Sequence, residues 1–303
     1  MITIQQLHKR YGKTSVLQDM DLNVPTGKIS ALLGPNGTGK TTTIKCAMNL
    51  ITPDAGKIEI FGVTPEKLSP SHWQRIGYVS ENQKLPDWLS VGALLDYLRP
   101  LYGKLWDRSF EKKLLTDFEL PLNRPLRSLS RGQRMKAALL SSLAYRPQLV
   151  VLDEPFAGLD PLVREEFLEG LLELTETEGW TVWISSHDME EVERFADHVA
   201  IMDGGKIQLH DEVSSIQQKF RKVELLFPEA ATPPSQWLDS WMCWQATGRT
   251  ARFNVSDFDP VITPQQCREI FPSAVRHDFH SMSLREVFIA LAKKNRREKE
   301  VAS

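Results

Sequence analysis

Gly34-Pro35-Asn36-Gly37-Thr38-Gly39-Lys40-Thr41-Thr42 follows the apolar run Ile29-Ser30-Ala31-Leu32-Leu33 and precedes Ile44, Ala47, Met48 and Ile51. The first eight residues fit G-x-x-x-x-G-K-[ST], and their setting gives the pattern meaning: a strand, a glycine turn, then one face of a helix. The chemistry accounts for the residue types. A triphosphate crowds several negative charges into a small volume. Glycines let backbone N–H groups turn inward and approach its oxygens closely, and a helix N-terminus adds about half a positive charge. Lys40 is then placed to reach the β- and γ-phosphates, and Thr41 to offer its hydroxyl to Mg²⁺. A glycine turn matching by chance would not need the strand before it or the helix after it.

Further along, Leu149-Val150-Val151-Leu152 runs into Asp153-Glu154-Pro155. Four apolar residues suit a strand buried on both faces. Asp153 at its end is a candidate for holding the metal on Thr41. Glu154 is a candidate for positioning or deprotonating an attacking water. Alone, the pair would read as solvated acids ending a strand; with the glycine loop upstream the chemical reading is stronger. Ser185-Ser186-His187 closes a third apolar run, Thr181-Val182-Trp183-Ile184. A histidine there can meet a γ-phosphate, but a lone histidine is more often structural or exposed.

Short apolar runs alternating with helical patterns over 1–210 predict an α/β fold with parallel strands and crossover helices, with ligands at the carboxyl ends of the strands. A mostly helical insertion is expected at about 85–144, where Leu94-Leu95, Leu114-Leu115 and Leu139-Leu140 stand among charges. Near Phe220 the character changes. Residues 228–260 carry prolines and Trp237, Trp241 and Trp244, with no phosphate-binding pattern. The division expected is therefore 1–220 for the nucleotide-binding part and 221–303 for a C-terminal accessory region. That region ends in a helix with Leu284, Val287, Phe288 and Leu291 on one face and a charged, exposed tail, 293–300.

With 37 Lys+Arg against 39 Asp+Glu, the near-neutral balance gives no support to a nucleic-acid binder held by bulk charge. Three scattered cysteines make neither a disulfide framework nor a zinc cluster and read as free thiols of a reducing cytoplasm. No signal-peptide pattern is evident at Met1. No stretch approaches the roughly 18 apolar residues of a membrane span.

Taken in order, these pieces resemble the nucleotide-binding domain of ABC transporters, a P-loop NTPase core with a mixed or parallel sheet. Leu129-Ser130-Arg131-Gly132-Gln133 is similar to the family signature L-S-G-G-Q, and Ala157-Gly158-Leu159-Asp160 to its D-loop. The resemblance covers about residues 1–215. It implies that Tyr11 stacks on adenine and that His187 is the switch histidine. It also implies that Ser130, Gly132, Gln133 and Asp160 contribute to a nucleotide held between two head-to-tail domains, in a homodimer or with a paired second ATP-binding subunit. Hydrolysis would then act as a two-state switch. Separately encoded transmembrane permease subunits would be the other partners, the chain lying peripherally on the cytoplasmic face of the membrane, with no direct nucleic-acid contact. The C-terminal stretch Ser283–Leu291 is similar to the ends of exporter-type ATPases.

Two positions depart from the family pattern. Arg131 replaces the first signature glycine; its side chain either crowds the phosphate or points to solvent. Glu81 occupies the place of the Q-loop glutamine, where it can still contact Mg²⁺ or water but adds a negative charge; Gln83 is the alternative if the register shifts. The following Leu85, Trp88 and Leu89 read equally as an interface for the membrane partner or as core. A soluble ATPase acting on nucleic acid or ribosomes is the alternative function. Its relatives tend to carry a long coiled coil, zinc-binding cysteines or two nucleotide domains, and this sequence has none of those patterns.

Overall fold

The computed structural model describes residues 1–303 apart from Asn82, Ala157, Gly158, Ser235 and Ser303, with backbone only for 297–302. The chain forms two compact units, Met1–Asp188 with Phe195–His210, and Met189–Arg194 with Asp211–Ser303.

In the first unit, β1 (Ile2–Tyr11), β2 (Thr14–Val24), β3 (Ile29–Leu33), α1 (Lys40–Ala47), β4 (Ala55–Ile60), α2 (Pro70–Trp73) and β5 (Ile76–Ser80) come first. Then follow α3 (Val91–Tyr102), α4 (Arg108–Asp117), α5 (Arg131–Leu143), β6 (Leu149–Asp153), α6 (Pro161–Glu178) and β7 (Thr181–Ser186). After α7 (Met189–Val192), β8 (His198–Asp203) and β9 (Lys206–Glu212) complete the sheet. Its order is β5-β6-β7-β3-β8-β9. The pairs β5–β6, β6–β7, β7–β3 and β3–β8 are parallel. Every residue of β3, β6 and β7 is buried, as central parallel strands covered on both faces require. A separate antiparallel sheet, β2-β1-β4, packs its apolar residues into the same core, with Ile2, Leu7, Met20 and Ile60 beside Leu32, Ile44 and Trp183. The fold class is thus α/β with mixed strand directions, as expected.

The helices α3, α4 and α5 lie between β5 and β6 in sequence. The last of them is fastened to β5 by Ser142 near its end and by Tyr145 just beyond it. Tyr145 Oη donates to Ile76 O at 2.8 Å and Ser142 Oγ to Tyr78 O at 3.2 Å. Gly77 permits this approach, since a Cβ there would stand 2.6 Å from Ser142 O.

The second unit continues through α8 (Val213–Lys219), β10 (Arg221–Leu226), β11 (Trp241–Thr247), β12 (Thr250–Val255), α9 (Ile262–Ile270), β13 (Arg276–Ser281) and α10 (Leu284–Ala302). Its sheet is antiparallel in the order β11-β12-β10-β13. This is the connectivity of the split β-α-β-β-α-β unit with a proline-bearing loop in place of the first helix. Of Trp237, Trp241 and Trp244, Trp241 is core, Trp244 packs partly buried against that core and Trp237 stays exposed. Trp241, Phe253 and Phe271 are buried together, with Trp244 stacked on Phe271 at 5.4 Å. Leu284, Val287 and Ala290 make the buried face of α10, whose backbone stays helical through the charged tail. Cys46 and Cys267 are buried free thiols, pushed by burial up to about 11 and about 12. Among the described residues no helix is long and apolar enough to cross a membrane.

Candidate functional site

The loop between β3 and α1 is shaped by its glycines. Gly39, with φ +109°, turns the chain into α1 against Leu17 and Met202, leaving Lys40 as the first helical residue. Thr38 braces the turn by donating from Oγ1 to Pro35 O at 2.9 Å. Lys40 is buried, and its Nζ donates to Gly34 O at 2.7 Å and Pro35 O at 3.2 Å. The same ammonium lies 3.1 Å from Glu154 Oε1 as an ion pair.

The strand ends meet this loop. Asp153, the last residue of β6, accepts at Oδ1 from Thr41 Oγ1 (2.9 Å) and Ser185 Oγ (2.7 Å). Glu154 turns off the strand with φ +51°, a conformation that side chains beyond glycine seldom adopt. Its N–H is directed to Ser185, at 3.2 Å from O and 3.1 Å from Oγ. Glu154 Oε2 lies 2.8 Å from His187 Nδ1. The residues after three neighbouring parallel strands therefore converge on the N-terminus of α1.

Asn36, Gly37, Gly39, Lys40, Thr41, Thr42, Glu81, Glu154, His187 and Val16 line one cavity of about 520 Å³. Glu81 follows β5 and donates its N–H to Asp153 O at 3.0 Å. Gln83 is engaged elsewhere, accepting at Oε1 from Ser80 N–H at 3.3 Å. The Arg131 guanidinium, at the start of α5, donates to Glu81 and forms an ion pair with it. Of the two placements expected for Arg131, the side chain takes the solvent-facing one, 60% exposed, with Glu81 as its partner.

Tyr11, Ser130, Gly132, Gln133 and Asp160 do not line that cavity. Tyr11 is half exposed at the β1–β2 turn with Lys9 Nζ 5.6 Å from its ring centre. Ser130 caps α5 reciprocally with Gln133: Gln133 N–H donates to Ser130 Oγ and Ser130 N–H to Gln133 Oε1, both at 3.2 Å. Asp160 caps α6 by accepting from Val163 N–H at 3.1 Å. Ala157 and Gly158 of the D-loop-like segment lie outside the described residues.

Comparison with known proteins follows the same lines. Residues 17–157 match the family model described as ABC transporter. The chain is 30% identical over 227 residues to the ABC transporter ATP-binding protein YtrB of Bacillus subtilis, covering 75% of this chain and 77% of that protein. It is 34% identical to the lantibiotic transport ATP-binding protein SrtF of Streptococcus pyogenes, covering 70% of this chain and 91% of that one. The chain belongs to the ABC transporter ATP-binding proteins. Among solved structures, an ATP-binding subunit of an ABC transporter superposes with a TM-score of 0.65 at 28% identity, covering 72% of this chain and 92% of that one.

As a member of that family the chain is an ATP-binding and ATP-hydrolysing subunit. Against the family pattern, it is Glu81 and not Gln83 that reaches the phosphate-loop cavity. Sequence reasoning missed two participants. Ser185 fixes both Asp153 and Glu154, and its signal was a strand ending in Ser-Ser-His beside one ending in Asp-Glu. Val16 comes from β2, whose part in the cavity no local pattern announces.

Proposed function

We propose that the chain energises a transporter by hydrolysing MgATP in this cavity, the roles falling to the residues as follows. Lys40 and the N–H groups from Asn36 to Thr42, in the loop that Gly34 and Pro35 open, bind the β- and γ-phosphates, whose oxygens replace Gly34 O and Pro35 O as partners of the Lys40 ammonium. Glu154 orients the attacking water and takes its proton. His187 holds the Glu154 carboxylate through the 2.8 Å contact and reaches toward the γ-phosphate. Tyr11 stacks on adenine.

The donor set suits Mg²⁺. Thr41 Oγ1 and Asp153 Oδ1 are hard oxygens 2.9 Å apart, and the Glu81 carboxylate lines the same cavity. No group of three or more His, Cys, Asp and Glu fit to hold a metal occurs among the described residues. A site completed by phosphate oxygens and water is what Mg²⁺ takes. Thr41, Asp153 and Glu81 would hold the ion, which when bound spreads the charge of the β- and γ-oxygens.

Ser130, Gly132, Gln133 and Asp160 act, in this reading, on the nucleotide of a second subunit facing head to tail, either a copy of this chain or a paired ATP-binding subunit. Transmembrane permease subunits are separate chains, and the protein works against the cytoplasmic face of the membrane. The division into 1–220 for ATP and 221–303 for an accessory role is part of the same proposal.

The observation that carries the reading is the convergence of Lys40, Glu154 and His187 within hydrogen-bonding or ion-pairing distance at one helix N-terminus. Its test is Glu154→Gln. Phosphate release should fall by about 10²- to 10⁴-fold, the range for a lost general base, while ATP still binds. Turnover at the unmutated rate would remove Glu154 from the mechanism.

A further inference from the structure

The two positions that depart from the family pattern touch each other. Glu81 stands where a glutamine is usual and Arg131 where a glycine is usual, 50 residues apart in sequence, and their side chains form an ion pair within one chain. Each departure alone changes the charge around the phosphate cavity by one unit. Together they leave it unchanged.

The setting gives the pair a consequence. Glu81 lines the cavity with Lys40, Thr41 and Glu154, and its backbone N–H is tied to Asp153 O at 3.0 Å. A third carboxylate is thereby brought near Asp153 and Glu154, where a triphosphate must enter. Lys40 is already shared with Glu154. Without Arg131 the Glu81 charge would stand uncompensated against the incoming phosphates. With Arg131 it is neutralised, but its oxygen is occupied by the guanidinium.

We infer that Arg131 is a positioning residue acting through Glu81: it screens this carboxylate from ATP and competes with Mg²⁺ for it. The inference rests on the site reading above. Arg131 is the first residue of α5, directly after the Ser130 cap. Were Glu81 to serve Mg²⁺ together with Thr41 and Asp153, it would give up the guanidinium at the head of the signature helix. Loading of one chain's cavity is in this way linked to the charge presented beside Ser130 and Gly132.

The competition predicts effects of opposite sign, which a purely structural role would not produce. The test uses the full chain and a fluorescent, non-hydrolysable ATP analogue, titrated first in EDTA and then with Mg²⁺ at fixed analogue. Arg131→Gly should weaken metal-free nucleotide binding, because Glu81 is left bare. It should also tighten the apparent Mg²⁺ affinity, because Glu81 is freed. The side chains are 60% and 31% exposed, so each shift should be modest, roughly two- to fivefold. In a Glu81→Gln background Arg131→Gly should lose the Mg²⁺ tightening, because no carboxylate is left to free, and Arg131→Lys in the chain with Glu81 should keep both values near the start. Shifts of the same sign, or an equal Mg²⁺ shift with and without Glu81, overturn the inference while leaving the ATP site standing. Failure of the unmutated chain to bind the analogue at all overturns both.

Discussion

At the scale of single residues, the site depends on backbone conformations that side chains restrict. Gly39 shows this most directly. A Cβ at Gly39 would lie 2.7 Å from Leu17 Cδ2, 2.9 Å from Met202 Cε and 3.1 Å from Val16 O. Leu17 and Met202 are fully buried, so neither side chain has room to withdraw. The φ of +109° adds strain that no repacking removes. Gly39→Ala should cost about 1–3 kcal/mol of stability and displace the N-terminus of α1. ATP affinity should then fall by about tenfold or more, each 1.4 kcal/mol being a factor of ten. Denaturant titration and equilibrium nucleotide binding on the same sample check both parts. Unchanged ATP affinity would mean that the loop keeps its shape without this glycine.

At the scale of elements, legibility followed the regularity of the local pattern. β3, β6 and β7 are short, mostly apolar, wholly buried and bounded by turns or acids, so both strands and site were readable from Gly34–Thr42, Asp153–Glu154 and His187. The β2-β1-β4 sheet was not. Register shifts interrupt its pairing between Ile4 and Leu7 and again between Leu7 and Lys9, and Gln6 and Asp19 take positive φ. Such bulges break the two-residue alternation from which a half-buried strand is recognised. The C-terminal sheet was hidden for another reason: its core joins Trp241, Phe253 and Phe271, residues far apart in sequence that no local spacing links.

The helices between β5 and β6 were legible as helices, but their fastening was not. Asp107 caps α4, accepting at Oδ1 from Ser109 N–H (2.8 Å), Ser109 Oγ (2.6 Å) and Phe110 N–H (2.9 Å). Its Oδ2 accepts from Arg146 Nε at 2.7 Å, which links the head of α4 to the chain after α5. The Ser109 hydroxyl, then the Phe110 N–H and then Arg146 hold this carboxyl well below the usual carboxylate range. Asp107→Ala should destabilise the chain by about 1–2 kcal/mol near neutral pH, as lost caps do. A depressed folded value means the stabilisation is fully present above the unfolded carboxyl value of about 3.9. It is lost as pH falls toward the folded value. The difference between the two proteins should therefore narrow as pH is lowered from 5 toward 3. A difference that stays constant over that span would show that the ionised carboxylate is not what braces α4.

At the scale of the whole molecule, the proposed function gives the chain two halves of a nucleotide site, and Ser130 and Gly132 of the second half do not line the cavity of the first. One half is the cavity closed by Lys40, Glu154 and His187. The other is the N-terminus of α5, where Ser130 is exposed and the first N–H groups have the anion-binding geometry of a helix start. ATP held between two copies would join each half to its complement, so association should require nucleotide and persist only while hydrolysis is blocked. Glu154→Gln with ATP and Mg²⁺ should therefore run in light scattering at twice the chain mass of 34.5 kDa, and return to the single mass when ATP is removed. Gly132→Asp in the same background should still bind ATP, since its cavity lies elsewhere and a Cβ at Gly132 meets nothing closer than Leu159 Cδ2 at 3.6 Å. It should remain at the single mass, because a carboxylate now faces the partner's phosphates. If Glu154→Gln binds ATP and still runs as one chain at saturating nucleotide, self-association is wrong, and the complementary half must come from a different ATP-binding subunit.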